Sequence, residues 1–521
     1  MRIERREFIG LTAAAIAGLA STSGAQRRML DLSEKGVAEL SSLMSGGKAS
    51  AAEITAGYLA RIRTIDKKLN SVIELSPDAL LIARERDAER RNKRVRGPLH
   101  GIPVLIKDNI DTADKMKTTA GSLALANDPR PKQDAFIVQR LREAGAIILG
   151  KTNLSEWANF RDEASSSGWS GRGGQTHNPY ILDRNPCGSS SGTGVAIAAS
   201  LATVGIGTET DGSIVCPSSI NGLVGIKPTV GLVSRSGIIP ISATQDTAGP
   251  MCRTVADAAL VLQAIMGSDP RDPATSQARA MEFPLSADGL RGARIGVARD
   301  YWGRNAGVDK ITNAALDAMR NAGAVLVDVK FPNIQKFGDA EFTVLQYEFK
   351  DGLERYLRER GSMHRTLDDL IRYNIANTSK ELPFFGQSIF EKSAKKGDLR
   401  SKEYRDALET SRRYSGEEGI DAVMKENKLD AVVAPSNAPT WMIDLVAGDC
   451  GSSYIGSSSM PAAAGYPNVT VPAGFVRELP VGISFFGRAW SEPILIRIAY
   501  GFEQATKARR PPKYFPTAVA G

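Results

Sequence analysis

The 521-residue sequence contains few of the residue types that usually mark metal, redox or disulfide chemistry. Its four cysteines are too few for the disulfide framework of a small secreted domain. Its three histidines, His100, His177 and His364, are widely separated, and neither an HExxH nor a CxxC pattern occurs. The chain therefore has no zinc-site signature, and the scarcity of histidine disfavours a Ser-His-Asp triad.

Aromatic residues and long apolar runs are also scarce. Aromatics make up 6% of the chain, and beyond the N-terminal region no segment of transmembrane length is free of charges. The net charge is +8, and the densest basic run, residues 84–96, mixes seven Lys or Arg with three acids. Without an aromatic platform, such a run indicates a solvated helix face rather than a nucleic-acid site. We therefore expect neither a nucleic-acid partner nor stable membrane insertion.

The N-terminus resembles a targeting segment. Residues 5–9 read RREFI, a twin-arginine pattern, and are followed by an apolar stretch at residues 11–20 and small residues at 23–25. This order is typical of a Tat signal peptide, residues 1–25, cut after Ala25. A Tat substrate crosses the membrane already folded, so we expect a periplasmic or secreted protein.

Short apolar strands alternate with helices along the remaining chain. Candidate strands lie at residues 204–207, 294–297 and 324–329, and a helix over 310–321 separates the last two. This alternation predicts an α/β fold, with residues 26–521 as one domain. The charged, aromatic-bearing segment of about 337–426 is expected to be a helical insertion near the active site, or else a plain structural subdomain.

Two Gly- and Ser-rich loops enclose an Ala-rich apolar segment. The first, residues 187–191, reads CGSSS but lacks the GxxxxGK[ST] pattern of a phosphate-binding loop. The second, residues 207–213, reads GTETDGS and follows a predicted strand. A turn there can aim successive N–H groups at one point, which is what an oxyanion hole requires, with the Ser213 hydroxyl beside it. A tight turn with a helix cap is the alternative interpretation.

Acyl transfer to a serine also requires a base, and lysine can supply one when it is desolvated. Lys107 ends the apolar run 102–106, which should be buried. Burial favours the neutral amine over the ammonium. Lys107 is therefore the candidate base, although most lysines lie at the surface.

Three segments, PLHGIPVLIKDNID, CGSSSGTG and GTETDGSIVCPSSINGLVGIK, resemble the amidase signature family, most closely its bacterial peptide amidase branch. The resemblance spans about residues 30–505. It implies a central twisted, mixed sheet of about eleven strands flanked by helices, and no metal or cofactor. It also implies a Ser–cis-Ser–Lys triad but does not decide which Gly/Ser peptide bond is cis. The implied site residues are Lys107, Ser189 and Ser213 as the triad, the backbone of Thr210, Asp211, Gly212 and Ser213 as the oxyanion hole, and Ser190 and Ser191 as supporting hydrogen bonders.

The resemblance implies hydrolysis of carboxamide C–N bonds through an acyl-enzyme. C-terminal peptide amides or other small amides would be the substrates, with release of ammonia. Three alternatives stay open: an aryl-acylamide, urethane or ester hydrolase with the same triad; one component of an amidotransferase that modifies charged tRNA; and a catalytically silent exported binding protein. The expected oligomeric state is a monomer or homodimer.

Overall fold

The largest element of the fold is a mixed sheet of eleven strands, in a computed structural model that describes residues 30–450 and 455–518. The predicted signal peptide, residues 1–25, lies outside the described residues. A separate two-stranded sheet is formed by β4 and β5. The strands of the described chain are β1 (Val72–Leu75), β2 (Pro103–Lys107), β3 (Ile147–Thr152), β4 (Trp169–Ser170), β5 (Gly174–Gln175), β6 (Val204–Glu209), β7 (Val224–Lys227), β8 (Thr247–Cys252), β9 (Arg294–Ala298), β10 (Val325–Val329), β11 (Ala431–Pro435), β12 (Asn468–Val476) and β13 (Leu479–Phe486).

Neighbouring strands of the large sheet run in the order β1-β3-β2-β6-β8-β7-β12-β13-β11-β9-β10. Strand β2 is parallel to both β3 and β6, and β9 is parallel to both β10 and β11. The remaining pairs are antiparallel. The mixed eleven-stranded sheet confirms the predicted fold class.

Helices flank this sheet. The helices of the described chain are α1 (Val37–Ser45), α2 (Ala51–Ile65), α3 (Ala79–Arg91), α4 (Phe136–Glu143), α5 (Ser191–Ala198), α6 (Val215–Ile220), α7 (Val255–Ile265), α8 (Ala306–Asn321), α9 (Gly338–Arg360), α10 (Leu367–Ala376), α11 (Thr378–Glu381), α12 (Ser388–Ala394), α13 (Lys402–Arg412), α14 (Ala422–Glu426), α15 (Ser459–Ala463) and α16 (Glu492–Thr506).

Helix α5 is buried along its whole length because its residues are small. All eight of its residues, two of them glycines, are buried. A Cβ atom on Gly205 of β6 would come within 2.6 Å of Thr193 and 2.8 Å of Ile197, so the helix lies directly against the strand. This close packing fixes the start of α5, and with it the serine-rich loop that precedes the helix.

Helices α9 to α14 occupy residues 338–426, the segment predicted as a helical insertion. They pack on the rest of the described chain through an apolar cluster. Leu345 and Phe349 of α9 belong to the same buried cluster as Trp157, Phe160 and Ile241. The described residues from Leu32 onward form one compact unit.

In the described part of the chain, no helix is both long and apolar enough to cross a membrane.

Candidate active site

Parallel pairing of β2 and β6 brings a lysine and a threonine together where both strands end. Ile106 lies opposite Ile206, so Lys107 emerges beside Thr208. Lys107 Nζ is 2.9 Å from Thr208 Oγ1 and 3.3 Å from the Thr208 carbonyl oxygen. The Lys107 side chain is fully buried. The pairing of these strands therefore places the Lys107 amine in the protein interior, next to two hydrogen-bond acceptors.

The first serine-rich loop meets this amine. Lys107 Nζ is 2.7 Å from Ser189 Oγ, and Ser189 is fully buried. The peptide bond between Gly188 and Ser189 is cis, which answers the question that the three consecutive serines left open. The Ser189 carbonyl accepts a hydrogen bond of 3.1 Å from the Ser155 amide, which anchors the loop on its other side.

The next two serines make local contacts within the same region. Ser190 Oγ donates to the Thr208 carbonyl at 3.0 Å and accepts from the Thr208 amide at 3.2 Å. Ser191 Oγ donates to the Cys187 carbonyl at 2.6 Å. Both hydroxyl groups therefore bind backbone atoms, one fastening the loop to β6 and the other closing the loop on itself.

The second loop bends so that Ser213 follows β6 and precedes α6. Gly212 adopts a left-handed backbone conformation with φ of 74°, which glycine adopts without the Cβ clash of other residues. Glu209 accepts hydrogen bonds from the amides of Ile214 and Val215 at 2.7 and 2.9 Å. Within the described residues, the amides of 211–213 donate to no protein acceptor. They remain available to an oxyanion.

Ser213 is the member of the candidate triad that solvent reaches. It is 8% exposed, whereas Lys107 and Ser189 are each 0% exposed. No hydrogen bond joins Ser189 Oγ directly to Ser213 Oγ, although both residues are described. The two loops meet instead through the Ser190 amide and the Ser213 carbonyl, at 3.2 Å.

Two carboxylates hold the turn that carries Ser213. Asp246 Oδ1 accepts a hydrogen bond of 2.6 Å from Thr210 Oγ1. Asp211 accepts hydrogen bonds of 2.7 Å from both Ser458 Oγ and Ser459 Oγ. The Asp211 side chain therefore ties the turn to the start of α15 through both of its oxygens.

Burial makes Lys107 a base near neutral pH. Desolvation lowers its pKa from 10.5 to about 7, and the charges of Asp246 and Glu209 partly oppose that fall. Burial also raises the pKa of Asp246 to about 6. A lysine with a pKa near 7 is substantially neutral at pH 7 and can accept a proton.

A cavity of about 300 Å³ opens above Ser213. Its volume lies within the range of small-molecule and cofactor sites. One part of its wall is the turn of residues 210–213 with Gly188, and another is apolar. The apolar lining includes Phe160, Ile241, Leu345 and Trp441.

The helical insertion contributes to this cavity. Leu345 of α9 forms part of its wall. From the same helix, Glu341 accepts a hydrogen bond of 2.8 Å from Gln245 Nε2, which also lies 3.3 Å from the Thr210 carbonyl. The segment of residues 337–426 thus lines the cavity directly and contacts the turn that holds Ser213 through Gln245.

Sequence reasoning missed a covalent link at the site. Cys187 and Cys216 form a disulfide, whereas the expectation from four cysteines was only that no disulfide framework exists. The signal that could have found it was their position, since Cys187 begins the first Gly- and Ser-rich loop and Cys216 follows the second loop by three residues. Thr208, Glu209 and Asp246 were also missed, because a strand-end threonine and two isolated acids carry no motif of their own.

No group of three or more His, Cys, Asp or Glu side chains within residues 30–450 and 455–518 is placed to hold a metal ion.

The fold, with its buried Lys107–Ser189 contact and a cavity at Ser213, matches that of enzymes acting on amides. A sequence model of the Amidase family matches residues 53–496. The chain belongs to this family, the amidase signature family.

Similar proteins fall in several branches of the family. The chain is 43% identical to a "probable amidase" of Arabidopsis thaliana, over 88% of this chain and 87% of the relative. It resembles the crystal structure of the native peptide amidase from Stenotrophomonas maltophilia with a TM-score of 0.88 and 51% identity, over 93% of this chain and 99% of the other. It is 33% identical to one component of the glutamyl-tRNA(Gln) amidotransferase of Thermoanaerobacter pseudethanolicus, over 91% of this chain and 97% of the relative.

Proposed function

We propose that this enzyme hydrolyses primary carboxamides, with C-terminal peptide amides as its main substrates, through a Lys107–Ser189–Ser213 relay. The observation that carries the proposal is the 2.7 Å contact between the buried Lys107 amine and Ser189 Oγ, beneath the solvent-reachable Ser213. Burying a lysine costs free energy, and buried groups with a perturbed pKa beside a cavity are concentrated at functional sites.

The hydrogen bonds of Lys107 define its part in the relay. A neutral amine has two hydrogens and one lone pair. Thr208 offers two acceptors, its hydroxyl at 2.9 Å and its carbonyl at 3.3 Å. With both hydrogens directed there, the lone pair faces Ser189 Oγ. Lys107 then accepts the Ser189 proton, and Ser189 accepts the proton of Ser213 as Ser213 attacks the amide carbon.

The turn before Ser213 stabilises the tetrahedral intermediate. Attack places negative charge on the former carbonyl oxygen, and the free amides of residues 211–213 donate to it, with the Thr210 amide as the remaining member of the oxyanion hole. The intermediate collapses when Ser189 returns the proton to the leaving nitrogen, which departs as ammonia. Water then attacks the acyl-Ser213 ester through the same relay and releases the carboxylic acid.

The cavity favours a peptide-like acyl group. Its volume is about 300 Å³, and its wall combines apolar side chains with the polar Asn159 and Asp449. Such a mixed lining suits an amino-acid side chain and an adjoining peptide unit. The similarity to a peptide amidase at 51% identity supports the same substrate class.

A substrate panel tests the proposal. Ammonia release would be measured from amidated dipeptides and simple carboxamides, alongside release of the leaving group from anilides, carbamates and esters of the same acyl groups. Faster turnover of the amidated dipeptides supports the proposal. A preference of tenfold or more for the anilides, carbamates or esters would replace it with the alternative hydrolase function.

Export by the Tat pathway and a monomeric or homodimeric state are further parts of this proposal. The twin-arginine and apolar segments within residues 1–25 support export. N-terminal sequencing of protein recovered from the periplasm or medium would begin at Gln26. A mature chain that still begins at Met1 would contradict cleavage. Light scattering on the purified enzyme would measure the mass of the assembly.

A further inference from the structure

The Cys187–Cys216 disulfide joins the two loops that carry the serines. Cys187 lies two residues before Ser189, and Cys216 lies three residues after Ser213. The chain between Ser189 and Ser213 runs through α5 and β6, so the disulfide is a much shorter covalent connection than the backbone. Both cysteines also form part of the cavity wall.

Beside the disulfide, a few hydrogen bonds join these two segments in the described chain. The Ser190 amide donates to the Ser213 carbonyl at 3.2 Å, which is the single hydrogen bond between residues 187–191 and residues 210–216. Ser190 Oγ also bonds to the carbonyl and the amide of Thr208, near the start of the second loop. Each loop has further anchors, Ser189 to Ser155 and Asp211 to Ser458 and Ser459. The turn that carries Ser213 is therefore held to the Ser189 loop directly by the disulfide and one backbone contact, and less directly by the bonds between Ser190 and Thr208.

We infer that the Cys187–Cys216 disulfide positions Ser189 against Ser213 for proton transfer, so that the enzyme with both cysteines reduced is folded but slow. This inference rests on the proposed relay. Reduction replaces a covalent bond with a non-bonded contact between two thiols and lets the loops separate. Because proton transfer requires heavy atoms within hydrogen-bond distance, a small separation is enough to slow it. The pair is a positioning element and does not itself react with substrate.

Formation of the disulfide requires an oxidant. Two thiols lose two protons and two electrons, and an organic disulfide takes them up to become two thiols. Such a bond persists in an oxidising compartment and is kept reduced in most cytosols. If the enzyme is exported after folding, as proposed above, its activity rises when the cysteines are oxidised outside the cytoplasm.

Reversible reduction of the full-length mature enzyme tests the inference. The oxidised enzyme would be treated with dithiothreitol, and kcat and KM for an amidated dipeptide measured well below the unfolding temperature, with circular dichroism to verify folding. We expect kcat to fall at least tenfold, KM to change less, and oxidised glutathione to restore kcat. Retention of kcat in the reduced enzyme, with only a lower unfolding temperature, would assign the disulfide a purely structural role and overturn the inference.

Two variants supply matched controls. The double variant C187A/C216A should have the low kcat of the reduced enzyme and no response to dithiothreitol. The variant C252A removes the buried free thiol of β8 and should respond like the wild type. If the double variant does not fold, reduction and reoxidation of the wild type still decide whether the disulfide controls kcat. A response to dithiothreitol in folded C187A/C216A would contradict the inference.

A covalent probe separates failure of this inference from failure of the proposed function. A serine-directed phosphonofluoridate labels an activated serine whatever the natural substrate is. Labelling of Ser213 should be at least tenfold slower in the reduced wild type than in the oxidised enzyme. Equal labelling rates would overturn the positioning role, whereas fast labelling of an oxidised enzyme that releases no ammonia would overturn only the amide substrate.

Discussion

Lys107 Nζ lies 2.7 Å from Ser189 Oγ, and both side chains are completely buried. The lysine comes from the end of β2 and the serine from the loop before α5, so the contact unites two separate layers of the fold. In the proposed relay this contact carries the proton that Ser213 gives up. The contact also links catalysis to pH, because it requires the amine to be neutral.

The pH dependence of wild-type turnover should follow Lys107. Desolvation lowers its pKa to about 7, so the neutral amine predominates above that pH and the ammonium below it. We expect kcat/KM to rise with pH, with a midpoint near 7, and then to level off. A profile that is flat between pH 5.5 and 8.5 would show that no group with this pKa is the base.

Replacement of Lys107 by methionine removes the amine while retaining an unbranched side chain of similar length. Loss of the base should lower kcat/KM by roughly 10² to 10⁴-fold. Folding should survive, since methionine is readily buried. Steady-state kinetics and the unfolding temperature would be measured together. A folded Lys107→Met variant with activity within threefold of wild type would remove the lysine from the mechanism.

Asp246→Asn should move the pH profile toward lower pH. The negative charge of Asp246 raises the pKa of Lys107, so its removal lets that pKa fall further. Asparagine keeps one oxygen, which can accept either the hydrogen bond of Thr210 or those of the Ile241 and Ser242 amides, so folding of the variant would be verified by its unfolding temperature. We expect the midpoint of kcat/KM to shift downward by roughly half to one pH unit. An unchanged midpoint would indicate that a group other than Lys107 titrates in the wild type.

Glu381→Gln should increase stability at alkaline pH. Glu381 is buried near Glu156 and receives a hydrogen bond of 2.7 Å from the Leu123 amide. Burial, followed by the charge of Glu156, raises its pKa to about 8. A carboxyl group with a raised folded-state pKa favours folding at low pH, and this contribution is lost as the pH rises toward about 8.

Glutamine stays neutral at every pH, so the Glu381→Gln variant avoids that loss. Relative to wild type, its free energy of unfolding should therefore improve steadily as the pH rises from 6 to 9. Glu391→Gln, on an exposed position of α12 in the same insertion, is the matched control and should show no such change. If the free energies of unfolding of Glu381→Gln and wild type changed with pH in parallel, the pKa of Glu381 would not be raised in the folded protein.

Much of the fold was predictable because its signals are local. Residues 204–207 and 295–297 are short apolar runs, and they lie within β6 and β9. The order of the strands was not predictable from such signals. The pairing of β2 with β6 depends on contacts between residues about a hundred positions apart, which no local pattern encodes. The eleven-stranded sheet was foreseen only through the family resemblance.

In the candidate site, too, local sequence patterns reveal some residues, and only the fold brings the others together. The Gly- and Ser-rich loops are visible in the sequence because glycine at such density signals backbone constraints, and Gly212 does adopt a left-handed conformation. Asp246 was not visible, because its place beside Thr210 arises from the pairing of β8 with β6. The Cys187–Cys216 bond was missed for a similar reason: the sequence places the two cysteines beside the two loops, but only the fold brings their sulfurs together.

A comparison of ammonia release by wild type and Ser213→Ala from an amidated dipeptide decides whether Ser213 is the nucleophile. Serine and alanine differ by one hydroxyl oxygen, so folding should be unaffected, and circular dichroism would verify this. We expect the wild type to release ammonia and peptide acid in equal amounts. We expect folded Ser213→Ala to release ammonia no faster than the uncatalysed reaction. Turnover by the variant within tenfold of wild type would contradict the assignment of Ser213 as the nucleophile and, with it, the relay from Lys107.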